Sequence, residues 1–364
     1  MHKRRILVVG MTDNPGGIEA LLLNVMASTR DQGYKFDFIV NTPEVAFEQQ
    51  IMSQDSNIYH VCSRHDNRIR FYSDLKKIFQ KHASEYYAIW ENANSLANID
   101  YLVYARRYGI PIRIIHAHNS KNSEGFIRGG LHRANQLRIK RYATHFWSVS
   151  DEASEWFYGK GFDALPNYKV ITNAIDTGRF AYSESVRSEL RAKLGIPADA
   201  IVFGNVGRLH PQKNQQFAID VFAGFVRINP NSRLLIIGKG DLENELRLHA
   251  KELGVNDKVI FAGAVGNSKP YYDVMDLFLF PSRFEGLPIA LLEAQANGLP
   301  CLISDAISSS AVINSAVDSF SLEESTAQWV EHSVSLINHG RSLRPEIINS
   351  KFDSASLSNI FIDL

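Results

Sequence analysis

The chain has 364 residues, 45% of them hydrophobic and 21% charged, which excludes disorder and collagen-like structure and, at roughly 100 to 200 residues per domain, predicts at least two domains. Lys+Arg (39) balance Asp+Glu (39), so no net field holds the molecule on nucleic acid and a dedicated DNA or RNA binder is disfavoured. The balance is uneven along the chain: residues 1–175 carry 22 basic against 17 acidic side chains, and the remainder reverses this.

The N-terminal Met-His-Lys-Arg-Arg is followed by only four apolar residues, 6–9, before Gly10, far short of a signal-peptide core. No later apolar run approaches the roughly 18 residues of a membrane span. Cys62 and Cys301 each sit in an apolar run in a different half, which predicts buried thiols and no disulfide framework. Together these features predict a soluble cytoplasmic chain.

Short β-branched or aromatic runs at 6–9, 36–40, 86–90, 112–116, 146–149 and 170–172 alternate with helical-length segments, the βαβ rhythm of a parallel sheet. Residues 173–197 lack a strand-like run and contain Gly178, Gly195 and several serines, which places the inter-domain connection there. A second alternation follows, with strands at 201–206, 234–237, 259–261, 277–280 and 301–304 and amphipathic stretches at 216–228 and 242–253. Two doubly wound domains are predicted, 1–175 and 176–350, with a terminal helix at 351–364. In such sheets ligands bind beyond the carboxyl ends of the strands, so the chemistry is sought just after each one.

After the first strand, Gly16-Gly17-Ile18-Glu19 opens a helical run, and paired glycines there let backbone N–H groups approach an anion; a turn that merely needs glycine explains the pattern equally well. The strand at 112–116 runs into His116-Ala117-His118-Asn119, which puts both histidines on one face at a strand tip. No third ligand stands beside them, so a substrate-contacting or structural role is favoured over a metal. The basic stretch Arg128, His132, Arg133, Arg138, Lys140 and Arg141 reads as a solvated helix face or as a surface for anionic lipid.

The second half opens with Gly207-Arg208-Leu209-His210-Pro211-Gln212-Lys213 directly after a strand, where the Arg208 fork and the Lys213 point charge suit a diphosphate, with surface salt bridging as the alternative. Leu235-Ile236-Ile237-Gly238 is another strand-to-glycine turn. The strongest constellation is Glu285-Gly286-Leu287-Pro288-Ile289-Ala290-Leu291-Leu292-Glu293, a loop leading into a helix with Pro288 in its first turn. By composition alone two glutamates eight apart read as solvated side chains; in the functional reading Glu285 at the loop accepts hydrogen bonds from sugar hydroxyls, and Glu293, an acid within an apolar run, would be costly to bury without a partner.

On these residues the chain resembles, over nearly all its length, the family 4 glycosyltransferases of the GT-B fold, especially those of bacterial capsular and exopolysaccharide synthesis. The likeness rests on E-x7-E (Glu285 and Glu293), on Gly207-Arg208-Leu209 followed by Lys213, and on Gly16-Gly17-x-Glu19. The resemblance implies two Rossmann-like domains, an acceptor-side N-terminal one and a donor-binding C-terminal one. It implies sugar transfer from a nucleoside-diphosphate donor with retention, with neither metal nor cofactor. Carried over by motif, Arg208 and Lys213 would hold the diphosphate, Glu285 the sugar hydroxyls and Glu293 the ribose. His118 would lie near the donor sugar, Ala264 and Val265 at the base, and Gly16, Gly17, Gly238, Gly286, Leu287 and Pro288 along the donor. Departures occur at Asn173-Ala174-Ile175-Asp176, where relatives often carry Asn-Gly-Ile-Asp, and in the Ser-rich segment after Asp305. The implied acceptor is a saccharide; the basic front half adds the expectation of a lipid-linked saccharide acceptor and of peripheral membrane association through the N-terminal half. A nucleotide-sugar epimerase, a donor-binding subunit without turnover and a nicotinamide dehydrogenase are the competing readings; the last lacks its dinucleotide fingerprint.

Overall fold

A computed structural model describes residues 4–13, 16–119, 126–285, 287–362 and 364. The chain divides into two compact units, one of residues 1–174 with 354–364 and the other of residues 175–353.

The first unit contains β1 (Arg4–Val9), β2 (Tyr34–Val40), β3 (Ile58–His60), β4 (Ala88–Ala93), β5 (Ile112–Ala117), β6 (His145–Ser148) and β7 (Tyr168–Val170). They form a parallel sheet in the order β3-β2-β1-β4-β5-β6-β7. Sheets of this kind are covered by helices on both faces, so the strands read as continuous apolar runs. In β1, Leu7 and Val9 join the core on one face, while Ile6 and Val8 join the core on the other.

The second unit repeats the plan with β8 (Ile201–Val206), β9 (Ser232–Ile237), β10 (Val259–Gly263), β11 (Leu277–Phe280), β12 (Cys301–Ser304) and β13 (Val317–Phe320), in the order β10-β9-β8-β11-β12-β13. All of its pairings are parallel. Phe278 and Phe280 of β11 enter one core, Leu277 and Leu279 the other. In each sheet the chain reverses direction beside its first strand, at β1/β4 and at β8/β11, and these are the crevices where open α/β sheets take ligands.

Two strands, β3 and β13, carried no predicted run. Both are sheet edges, only three and four residues long and partly polar, as edges that resist strand addition tend to be. The strand expected at 170–172 lies two residues earlier, over Tyr168–Val170. The segment at 173–197 holds a helix, Glu184–Lys193, capped by Ser183. The terminal segment is a 3-10 helix, Ser354–Asn359, instead of an α-helix over 351–364. Its three serines compete for backbone hydrogen bonds, and docking fixes its place. Phe361 packs against Trp90, Trp147 and Tyr34 in the first unit, and Ser28 Oγ donates to the Ser354 carbonyl at 2.9 Å.

Candidate active site

In the second unit the crevice at β8/β11 is built from two loops. Residues 207–214 join β8 to helix Gln215–Ile228, and residues 281–288 join β11 to helix Ile289–Ala296. Gly238, just after β9, adopts φ +138°, and a Cβ there would stand 2.0 Å from the Gly207 carbonyl oxygen. Only glycine lets these two strand ends lie so close.

Gln212 stitches the loops together: its side-chain amide donates to the Phe284 carbonyl at 2.9 Å, and its own carbonyl accepts from the Arg283 N–H at 2.8 Å. This brace holds Lys213 beside Glu285, whose Nζ and Oε1 lie 2.6 Å apart with side-chain exposures of 19% and 6%. The ammonium also lies 5.0 Å from the centre of the Phe280 ring. Arg208 is exposed on the same loop, and its guanidinium has no hydrogen-bond or ion-pair partner among the described residues. A short buried pair of opposite charge beside an uncommitted arginine is suited to an anionic ligand that also presents hydroxyl groups.

Glu293 lies a turn inside helix Ile289–Ala296, and its Oε2 accepts from Tyr272 Oη at 2.8 Å and Ser268 Oγ at 3.2 Å. Burial raises its pKa, against the pull of these two bonds. The partners that an acid in an apolar run requires are thus present, and neither Tyr272 nor Ser268 was singled out in the sequence. Pro288 is buried and occupies the cap position just ahead of the helix, one residue before the expected first turn. Leu287 and Val265 are half-buried against the core, and Ala264 is exposed after β10. Gly286 lies outside the described residues. Gln212 was also missed, since nothing in its sequence context separates it from a surface residue.

In the first unit the corresponding crevice is organised by Gly10, at φ +109°, where a Cβ would stand 2.2 Å from the Asn92 carbonyl oxygen. Asn92 Nδ2 donates to the Val9 carbonyl at 3.3 Å, which turns its Oδ1 toward His118 Nε2 at 2.9 Å. The imidazole therefore carries its proton on Nε2. Desolvation pushes its pKa down to about 3, so the ring is neutral near pH 7. His116 is fully buried between Trp90 and Trp147 and is held well below its ordinary pKa by burial, which makes it a core residue. Gly16 and Gly17 are exposed at the start of helix Gly17–Ser28. Glu19 folds back onto the loop, its Oε1 accepting from the Thr12 N–H at 3.0 Å and the Thr12 hydroxyl at 2.9 Å.

The basic stretch is divided. His132 turns inward, its Nδ1 accepting from the Leu96 N–H at 3.0 Å and its ring stacked on Trp156, so it cannot face a lipid. Arg133, Arg138, Lys140 and Arg141 are exposed, alongside the apolar Ile127 and Leu137. No helix among the described residues is long and apolar enough to cross a membrane. Among the same residues no cluster of three or more His, Cys, Asp or Glu side chains is placed to hold a metal.

Two parallel-sheet α/β units with a ligand crevice at each switch point define the GT-B architecture of glycosyltransferases. Residues 186–351, within the second unit, match the group 1 glycosyl transferases. The chain is 28% identical to EpsF of Bacillus subtilis (strain 168), which bears a glycosyltransferase name, across 94% of this chain and 90% of that protein. It is 32% identical to the UDP-Gal:alpha-D-GlcNAc-diphosphoundecaprenol alpha-1,3-galactosyltransferase of Escherichia coli, over 42% of this chain and 41% of that enzyme. The crystal structure of Anabaena HepE in complex with UDP and glucose superposes with a TM-score of 0.74 at 20% identity, covering 99% of this chain and 98% of that one.

Proposed function

We propose that this glycosyltransferase is a retaining, metal-independent enzyme of the family 4 type that moves a hexose from a nucleoside-diphosphate sugar, UDP favoured, to a hydroxyl of a saccharide acceptor. The acceptor is a lipid-linked saccharide in surface polysaccharide synthesis. The observation that carries this reading is the Lys213–Glu285 pair at the β8/β11 crevice, with Arg208 on the same loop. As the glycosidic bond of the donor breaks, negative charge builds on the departing diphosphate, and two fixed cations stabilise that charge most where water is excluded. Lys213 and Arg208 fill that role, so no metal or cofactor is called for. Donor binding exchanges the lysine–glutamate contact for lysine–phosphate and glutamate–hydroxyl contacts.

In this reading Glu293 takes the ribose, Ala264 and Val265 meet the base, and Gly238, Leu287 and Pro288 wall the donor. Gly286 belongs to the same loop by sequence. In the first unit, the Gly16-Gly17 helix start has N–H groups suited to phosphate, and His118, neutral and fixed by Asn92, is suited to a sugar without adding charge. No carboxylate is assigned as a covalent nucleophile, so departure and attack take place on one face of the sugar. UDP is favoured because HepE is described with UDP and glucose and the galactosyltransferase relative is named for UDP-Gal. The lipid-linked acceptor follows the diphosphoundecaprenol in that relative's name. The exposed Arg133, Arg138, Lys140 and Arg141 would draw the protein to the anionic inner face of a membrane.

Incubation with a panel of UDP-, GDP- and ADP-sugars, with and without lipid-linked saccharide, tests the proposal. The expected result is acceptor-dependent release of one nucleoside diphosphate and a product whose anomeric configuration, read by NMR, matches the donor. Conversion of the donor without acceptor would identify an epimerase instead.

A further inference from the structure

Glu293 is partly exposed, whereas Leu291, Leu292 and every residue from Ala294 to Pro300 are buried. Its two carboxylate oxygens are used unequally. Oε2 accepts from Tyr272 Oη at 2.8 Å and from Ser268 Oγ at 3.2 Å. Oε1 has no partner among the described residues and is not sealed from solvent, so its lone pairs are open.

Both donors are placed as if for the carboxylate. Ser268 stands at the N-cap of helix Lys269–Val274, where a serine oxygen ordinarily accepts from an N–H of the first turn, yet it makes no such bond and its hydroxyl goes to Glu293 instead. Tyr272, on the same helix, is fully buried, with its ring centre 6.0 Å from that of Phe180 and 5.9 Å from that of Phe278. A phenylalanine would fill that space, so only the hydroxyl calls for a polar partner. Its single proton has two acceptors in reach, Glu293 Oε2 and the Ala290 carbonyl at 3.2 Å. The carbonyl alone would satisfy the tyrosine, and an acid at position 293 is superfluous for that purpose.

Burial raises the Glu293 pKa, and the bonds from Tyr272 and Ser268 oppose it, which favours the ionised form while fixing the plane of the carboxylate. Ser268 also belongs to the loop that leaves β10 with Ala264 and Val265. The segment read as meeting the base is thereby tied to the carboxylate read as meeting the ribose.

We propose that Tyr272 and Ser268 are positioning residues for donor recognition: by occupying Oε2 they aim Oε1 at the ribose hydroxyls, so that the site selects ribonucleoside diphosphates over their deoxy counterparts. This rests on the reading that Glu293 takes the ribose.

The test is calorimetric titration of the full chain with UDP, GDP and ADP, after which the nucleotide that binds is compared with its 2′-deoxy and 3′-deoxy forms. The parent should prefer the ribonucleotide about tenfold or more over at least one of these, the scale of a hydrogen bond to a charged group. Glu293→Met, which keeps the volume without the acceptor, should abolish the preference. Tyr272→Phe and Ser268→Ala should each reduce it about threefold or more while the affinity for the deoxy form holds. Ser268→Thr keeps the hydroxyl and should retain the parent preference. A merely structural role would weaken ribo and deoxy forms alike and leave their ratio unchanged. Binding of none of the nucleotides, no preference in the parent, or a preference retained in Glu293→Met would overturn the ribose assignment and the proposal with it. A preference lost in Glu293→Met but undiminished in both Tyr272→Phe and Ser268→Ala would overturn the positioning role alone.

Discussion

Breaking the Lys213–Glu285 pair one partner at a time separates its structural cost from its chemical role. Lys213→Met leaves a carboxylate of 6% side-chain exposure without its cation, and removing one partner of a buried pair costs about 3 to 5 kcal/mol. Glu285→Gln leaves an ammonium of 19% exposure, which keeps some hydration, so its cost should fall nearer 1 to 3 kcal/mol, as for a buried group that loses its partner. The double variant Lys213→Met/Glu285→Gln contains neither charge, and its stability should return to within about 1 kcal/mol of the parent. Turnover should behave differently, falling about a hundredfold or more in all three, because each variant lacks a preorganised contact worth about 2.7 to 4 kcal/mol in the transition state. Urea unfolding followed by tryptophan fluorescence, alongside nucleoside diphosphate release, reads both quantities. A double variant that regains both stability and turnover would show the pair to be a structural bond only, and the reasoning would fail.

Other outcomes follow from particular residues. Burial pushes the Glu91 pKa up from 4.5 to about 8, so the folded state holds a proton that the unfolded chain releases, and stability should fall as pH rises through that window by about 1.4 kcal/mol per pH unit. Glu91→Gln should flatten that slope and be the more stable protein at pH 8; identical pH profiles for variant and parent would disprove the cause. Gln212→Ala should raise the donor KM with little loss of global stability, since it loosens the brace between the two loops, and an unchanged KM would remove that role. Charge reversal at Arg138, Lys140 and Arg141 together should abolish binding to vesicles containing anionic lipid, and undiminished binding would exclude the electrostatic attraction.

The strands at 201–206, 277–280 and 301–304 were legible to the residue because a buried parallel strand is a continuous apolar run bounded by turn residues. Edge strands β3 and β13 were not, since half-exposed segments need no such run. Glu285 and Lys213 stand out as a motif, but their contact joins residues 72 apart and depends on the order of strands in the sheet, which no local pattern reveals. The docking of Phe361 on Trp90 and Trp147 is equally non-local. His132 was misassigned to a basic face because periodicity places a residue on a helix without showing what packs against it.

The central claim is that protein cations neutralise the donor diphosphate, and calorimetric titration with UDP and with uridine measures it most directly. UDP should bind the parent at least about tenfold more tightly than uridine, as charged hydrogen bonds are each worth about 1.5 to 3 kcal/mol. In Lys213→Met and Arg208→Gln the UDP affinity should fall toward that of uridine while the uridine affinity holds. Equal UDP affinity in the parent and in both variants would contradict the account.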